Sequence, residues 1–377
     1  MGQEQSSMES LVMQTLFGGV YKDKTVLVTG HTGFKGSWLV YWLKQMGAKV
    51  IGYSLEAPTT PNHIGLLDLN IVSTIGDIRD LDKLNKTFET NMPDIVFHLA
   101  AQPLVRLSYE DPVETYETNV MGTLKVFEAC RKNSVKAIVN ITSDKAYENR
   151  EWVWGYRESD KIGGYDPYSS SKGCADILAT SYRNSYFNTK EYKKTHNTLL
   201  ASCRAGNVIG GGDWAKDRLM TDIMLCVSQN KKVSIRNPYA TRPWQHVLEP
   251  LSGYLHVGQK LLEEKVEFAD AWNFGPSDDE NITVEEVVKN VKKYWDKIEY
   301  EINSDINQLH EANFLKLDCS KAHILLKWKN VWDSKMSFEK TVKWYKLYYE
   351  NNQVLTIQDF KSYISDAKKK GIEWTKS

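Results

Sequence analysis

Thr142-Ser143-Asp144-Lys145 sets a hydroxyl, a carboxyl group and an amine side by side, and a Tyr168-Ser-Ser-Ser-Lys172 motif follows further along the chain. Four residues apart on a helix, Tyr168 and Lys172 share one face, so the ammonium can sit beside the phenol. A nearby cation favours phenolate and would draw the phenol's pKa down from roughly 10. Such a tyrosine can take a hydroxyl proton while a hydride leaves the same carbon, which is acid/base chemistry beside a nicotinamide. Asp166 suits an N-cap and Pro167 the first helical position, which places Tyr168 in the first turn of its helix.

The residues that must position this chemistry begin at Lys24-Thr-Val-Leu-Val-Thr29, a short apolar strand pattern, followed at once by Gly30-His-Thr-Gly33-Phe-Lys-Gly36 and an amphipathic run from Ser37 to Gly47. Strand, glycine-rich turn and helix in that order let a backbone approach a pyrophosphate and rest it on a helix N-terminus. Further strands are expected at Lys49–Tyr53, Ile71–Ile75, Ile95–Ala101 and Ala137–Thr142, with helices from Asp80 to Thr90 and from Val113 to Arg131. This alternation predicts an α/β fold of Rossmann type, a doubly wound parallel sheet whose ligands lie beyond the carboxyl ends of the strands. Ser143, Asp144 and Lys145 follow the fifth strand and should project there. Asp77, just past the third strand, could meet the adenine side, and His98-Leu-Ala-Ala-Gln102 closes the fourth. Asn119 is either a buried polar strut or a support for the catalytic side chains.

After about residue 205 the rhythm changes. Arg204-Ala-Gly-Asn207-Val-Ile-Gly-Gly-Gly-Asp213-Trp214 is a glycine-rich loop ending a strand, and Arg218 and Arg242-Pro-Trp-Gln-His246 follow. Forked guanidinium donors suit a substrate diphosphate, though either arginine could instead be a surface ion-pair partner. Helices are expected at Thr283–Trp295 and Ser337–Tyr349, and the aromatic residues around them read as core and lid packing. The division expected is an N-terminal extension (1–20), a dinucleotide-binding part with the catalytic residues (21–205) and a smaller, mostly C-terminal α/β substrate-binding part (206–377) from which some chain returns to the first.

A chain of 377 residues with zero formal net charge has room for a large core, and its Lys-rich stretches read as solvated faces without interleaved aromatic residues. Nucleic acid is therefore not an expected partner. No apolar run reaches the ~18 residues a membrane span needs. Five cysteines without a CxxC pair suit reduced thiols in a cytoplasmic protein and offer no metal site. The first residues lack the basic start and apolar run of a cleavable signal and read as a poorly ordered extension. Met1-Gly2 with Ser6 matches an acylation signal only formally.

Five segments, Gly30–Leu39, Thr142–Asp160, Asp166–Asp176, Arg204–Trp214 and Arg242–Leu255, resemble the CDP-glucose 4,6-dehydratases of the extended short-chain dehydrogenase/reductase superfamily, and the resemblance runs from about Phe17 to about residue 350. It implies a redox-neutral dehydration: bound NAD oxidises C4 of the hexose, water leaves from C5 and C6, and hydride returns to C6. CDP-glucose would become CDP-4-dehydro-6-deoxyglucose, an entry to the deoxysugars of bacterial surface polysaccharide. By resemblance Tyr168, with Lys172 and Ser143, removes the O4 proton, and Lys172 also holds the nicotinamide ribose. A carboxyl group kept protonated in a dry site makes Asp144 the acid at O6. Lys145 is then the base at C5, which requires a neutral amine, favoured by burial and by Lys172 nearby.

The resemblance also implies that Gly30, Thr32, Gly33, Phe34, Lys35, Gly36, Asp77, Leu99, Ala100, Ala101 and Asn119 join Tyr168 and Lys172 around the cofactor. Gln102, Asn207, Arg218 and Arg242 would hold the nucleotide sugar. Related dTDP-glucose dehydratases carry Glu where Lys145 stands, and epimerases and reductases of the superfamily usually have small residues in place of Asp144 and Lys145. The second strand ends in Tyr53-Ser54-Leu55 without the acidic residue that reads a ribose 2'-hydroxyl, Glu56 comes late, and Lys35 could meet a 2'-phosphate. NAD over NADP thus rests on the resemblance, as does a homodimer or homotetramer. A nucleotide-sugar epimerase or reductase is the first alternative, which Asp144 and Lys145 disfavour; a silent scaffold is the second, which the intact Ser143, Tyr168 and Lys172 disfavour.

Overall fold

The computed structural model describes residues 13–235, 237–277, 281–303 and 314–376. Seven parallel strands form the main sheet in the order β10-β6-β5-β4-β1-β2-β3, where β1 is Thr25–Thr29, β2 Lys49–Ser54, β3 Val72–Ile75, β4 Ile95–His98, β5 Ala137–Ile141, β6 Leu199–Ala205 and β10 Ala271–Phe274. Most of these strands are apolar along their length because helices cover both faces. The helices are α1 (Phe34–Gln45), α2 (Leu81–Asn91), α3 (Val105–Glu110), α4 (Pro112–Tyr116), α5 (Thr123–Lys132), α6 (Pro167–Ser185), α7 (Leu219–Ser228), α8 (Leu248–Leu262), α9 (Val284–Lys292), α10 (Ser334–Asn351) and α11 (Thr356–Lys369). One core lies between the sheet and α1, α8 and α11, with Trp38, Leu39, Trp42, Leu255 and Phe360 in it; the other, holding Leu84, Phe88, Val126 and Phe127, lies across the sheet.

Short strands make two more sheets: β11 (Asn281–Thr283), β9 (Thr241–His246) and β7 (Asn207–Ile209) in one, β12 (Tyr300–Ile302) beside β8 (Val233–Ile235) in the other. A third core joins them to α7, α9 and α10 through Met224, Trp244, Val288 and Trp344.

Local chemistry explains several boundaries. Asp166 caps α6 by accepting the Ser169 N–H at 2.9 Å, with Pro167 in the first turn. Thr283 and Glu286 close a reciprocal capping box on α9.

Three expectations change. The helix expected from Val113 to Arg131 is divided by a π-helical turn, Glu117–Gly122. Its wider coil turns Asn119 inward to bond the Gln102 backbone, and Gly122 packs where a Cβ would meet Ile78 at 2.5 Å. The fourth strand stops at His98, because the Leu99 and Ala100 N–H groups turn to the Thr29 hydroxyl, each at 3.2 Å. The supposed loose extension differs too: Leu16 and Phe17 are buried, and the Phe17 ring stacks on Trp374 at 5.1 Å. Residues 1–12 lie outside the described residues.

A buried carboxylate ties the C-terminal helices to the core. Glu249 in the first turn of α8 accepts the N–H groups of Val331 and Trp332 at 3.0 and 2.7 Å and the Tyr363 hydroxyl at 3.1 Å. Burial pushes its carboxyl up to about 8, against the pull of those hydrogen bonds. In the unfolded chain the same group ionises near ~4.3, so its contribution to stability is full below that pH and is lost as pH rises through about 8. Denaturant titrations should therefore show the protein weakening by roughly 2–4 kcal/mol between about pH 5 and 8 from this group. A Glu249→Gln protein should lack that slope; an unchanged slope would place its cause elsewhere.

Candidate active site

Beyond the carboxyl ends of β1, β4 and β5 lies a cavity of about 670 Å³. Its first wall is the turn after β1. Gly30 has φ +74, and a Cβ there would stand 2.8 Å from the Ala100 nitrogen. At Gly36 a Cβ would fall 2.1 Å from the Gly30 carbonyl oxygen, so only glycine lets α1 begin this close to the turn. Gly33 is the N-cap and no side chain caps the helix, which leaves its first-turn N–H groups to face the cavity as an anion seat. Thr32, Phe34, Leu99, Ala100, Ala101 and Asp77 line the same wall. The Arg79 guanidinium beside Asp77, 2.6 Å away, holds that carboxyl below its usual range. This cradle fits a dinucleotide. Gly36→Ala should weaken dinucleotide retention at least about tenfold, read as cofactor content of the purified protein; full retention would mean the turn can yield.

The second wall carries the titratable groups. Just past β5, Ser143 caps a short 3-10 turn, Asp144–Ala146, and its hydroxyl donates to Asp144 Oδ1 at 3.0 Å while accepting the Lys145 N–H at 3.3 Å. Burial raises the Asp144 carboxyl above its ordinary range, against Lys145, Ser143 and Arg242, which pull it down. Lys145 is half-buried, so the enclosure expected for a neutral amine is incomplete. Tyr168 faces this group from the first turn of α6, and burial pushes its phenol up to about 12. The downward pull on it comes from the Ser143 hydroxyl and from Arg218, whereas Lys172 donates to the Ile141 carbonyl at 3.0 Å. The expected lowering of the phenol by Lys172 is thus replaced here by a net rise through burial. Burial also brings the Lys172 ammonium down to about 8.

Asn207, Arg218 and Arg242 close the cavity on the side of the smaller sheets. Two expected residues do not reach it. The Gln102 side chain donates to the Leu104 carbonyl and the Thr115 hydroxyl at 3.0 and 2.9 Å, and Asn119 bonds the Gln102 backbone and the Ser171 hydroxyl. Asn119 is buried and also touches the Tyr168–Lys172 turn through Ser171, and both residues shape the loop after β4 from behind. Lys35 reaches the cavity at another place than a ribose 2'-phosphate would need: burial lowers its ammonium to about 8, and its charged neighbours are Arg218, Asp144, Lys172 and Asp213. Thr32 instead meets the end of β2, with its hydroxyl 2.8 Å from that of Ser54.

Sequence reasoning passed over two supports. Arg204 and Asp176, 3% and 1% exposed, form an ion pair at 3.0 Å behind the site, and the Thr142 hydroxyl donates to Asp176 at 2.7 Å. Asp213 pairs with Arg218 at 2.6 Å. A buried Arg in β6 and an acid on the inner face of α6 were the available signals for the first.

The chain matches the family described as GDP-mannose 4,6 dehydratase over residues 27–344. It belongs to that family, the nucleotide-sugar 4,6-dehydratases. Among curated relatives, this dehydratase is 54% identical over 339 residues to the CDP-glucose 4,6-dehydratase of Salmonella typhimurium, covering 89% of this chain and 94% of the relative. It is 26% identical over 266 residues to the dTDP-D-glucose 4,6-dehydratase of Dictyostelium discoideum, covering 66% and 58%. Solved structures share its fold. An epimerase from Methanothermobacter thermautotrophicus superimposes with a TM-score of 0.77 at 22% identity, covering 92% of this chain and 98% of that one. The UDP-glucose 4-epimerase of Thermotoga maritima gives 0.73 at 21%, covering 86% and 100%. No helix among the described residues is long and apolar enough to cross a membrane.

Proposed function

We propose that this dehydratase converts CDP-glucose to CDP-4-dehydro-6-deoxyglucose and water with bound NAD, in the supply of deoxysugars for surface polysaccharide. The observation that carries the reading is an acid and an amine, Asp144 and Lys145, placed beside Tyr168 in the cavity that the glycine turn opens. The likeness to the Salmonella enzyme supports CDP as the nucleotide. NAD, when bound, supplies a hydride acceptor that later returns the hydride.

Tyr168, as phenolate, takes the O4 proton. The ketone formed at C4 acidifies the C5 hydrogen, which Lys145 removes. Asp144, whose carboxyl burial raises above its ordinary range, gives its proton to O6 as that oxygen leaves as water. Hydride then enters at C6 and Lys145 returns a proton to C5. Tyr168 has gained one proton and Asp144 has lost one. Ser143, which donates to Asp144 and influences the phenol, lies on the path that restores both. Arg218 and Arg242 bind the diphosphate, Asn207 contributes on the same side, and Lys172 orients the nicotinamide ribose. The protein acts in the cytoplasm as a homodimer or homotetramer.

Purified protein incubated in heavy water with CDP-glucose and no reductant should release one water and gain one solvent deuterium, with dTDP-, UDP- and GDP-linked sugars unchanged. A new stereoisomer of unchanged mass would assign an epimerase instead, and no reaction with any of the four would overturn the substrate.

A further inference from the structure

Arg218, at the N-cap of α7, is aimed from outside its own loop. Its Nη1 lies 2.6 Å from Asp213 Oδ2, and the Ala215 N–H holds the other Asp213 oxygen at 3.1 Å. Asp213 ends the run Gly210-Gly211-Gly212, which has no side chains to stiffen it and includes a residue at φ +89. The stiffness comes from α10. The Tyr345 hydroxyl accepts the Asp213 N–H at 2.8 Å and donates to the Asp213 carbonyl, so one phenol engages both backbone groups of that residue. Tyr345 is 1% exposed. The strap is gripped on two sides: Trp344 packs so closely that a Cβ on Gly211 would fall 2.0 Å from its ring, while Trp38 of α1 donates to the Gly211 carbonyl at 2.9 Å.

We propose that Tyr345 is a positioning residue for nucleotide-sugar binding. It fixes the Asp213 backbone, and the Asp213 carboxylate then holds Arg218 towards the cavity with N–H groups left to present to a diphosphate. A guanidinium has five N–H donors, and Asp213 engages Nη1. An arginine already held in place loses less rotamer freedom when ligand arrives, so the benefit appears in binding more than in turnover. The proposal rests on the reading of the chain as a nucleotide-sugar dehydratase in which Arg218 meets phosphate.

The test compares Tyr345→Phe, Arg218→Ala and the double variant, measuring Kd for CDP by calorimetry, KM and kcat for CDP-glucose, dinucleotide content and thermal midpoint. Tyr345→Phe should raise Kd and KM about three- to tenfold with kcat within about twofold and dinucleotide content unchanged. In the Arg218→Ala background the same change should add nothing, because Tyr345 acts through that arginine. Asp213→Asn, which leaves the Tyr345 contacts and weakens the ion pair, should reproduce the binding loss if the tyrosine variant is too unstable to assay. Additive effects of Tyr345→Phe and Arg218→Ala, or an equal fall in kcat without a change in Kd, would overturn the proposal. If Arg218→Ala leaves CDP binding unchanged, the arginine's phosphate role fails while the dehydratase reading stands. Failure of the unaltered protein to bind CDP would overturn both.

Discussion

A Lys145→Met protein should lose dehydration of CDP-glucose by about 10²- to 10⁴-fold, while its dinucleotide content and CDP affinity stay at the level of the parent. Lys145 follows Asp144 in a single 3-10 turn, and its removal leaves Ser143, Asp144 and Tyr168 in place to oxidise C4. What disappears is the only group assigned to C5, so no solvent deuterium should enter the sugar of recovered substrate. Asp144→Asn should behave differently. The ketone still forms and Lys145 still exchanges the C5 hydrogen, but O6 receives no proton, so deuterium enters the recovered substrate without loss of water. The two spectra separate base from acid. Deuterium in substrate recovered from the Lys145→Met protein would remove that residue from C5.

Asp176→Asn should destabilise the fold by roughly 3–5 kcal/mol, the largest stability effect expected from a single polar substitution here. The neutral amide leaves Arg204, held at 3.0 and 3.2 Å by the carboxylate, as an uncompensated buried charge. Arg204 also donates to the Tyr147 hydroxyl at 2.5 Å, which in turn bonds Asn273, so the loss extends from α6 to β10. Replacing both partners with apolar residues of similar volume, as in Asp176→Leu with Arg204→Met, should recover most of the loss, since the charges are then removed together. Denaturant midpoints read both variants. A single substitution costing under about 1 kcal/mol would mean that the pair is solvated or relaxes.

The parts of the site that follow from local order were legible before the structure. A strand, a glycine turn and a helix can meet in one way, and Asp166-Pro167 starts a helix that must carry Tyr168 and Lys172 on one face. The crevice position of Asp144, a few residues past the buried strand β5, was legible for the same reason, and the carboxyl is buried there. What was not legible depends on distant partners. Nothing within the loop after β4 says that Gln102 turns to Thr115 and Asn119 to Ser171, and those contacts remove both side chains from the cavity. Lys35 was considered for a ribose 2'-phosphate, while its direction is set by α1, which brings it among Arg218, Asp144, Lys172 and Asp213. The phenol of Tyr168 shows the limit of spacing arguments: the partner four residues on donates to a backbone carbonyl instead, and burial decides the direction of the shift. The helix Thr356–Lys369 escaped notice although Phe360, Tyr363, Ile364 and Ala367 repeat at helical spacing along it.

The order of strands in the main sheet carries a cost during synthesis. β6 is buried throughout and pairs β5 on one side, while its other edge is covered by β10, which emerges from the ribosome much later. At about 5–20 residues per second, the stretch from Ala205 to Phe274 takes roughly 3–14 s to appear. Through that interval the nascent sheet, six of its seven strands made, presents a bare edge of unpaired backbone N–H and C=O groups, the surface on which strands of neighbouring chains add. A fragment ending at residue 205 would keep that edge permanently and should precipitate, so cutting the gene there should yield no soluble module.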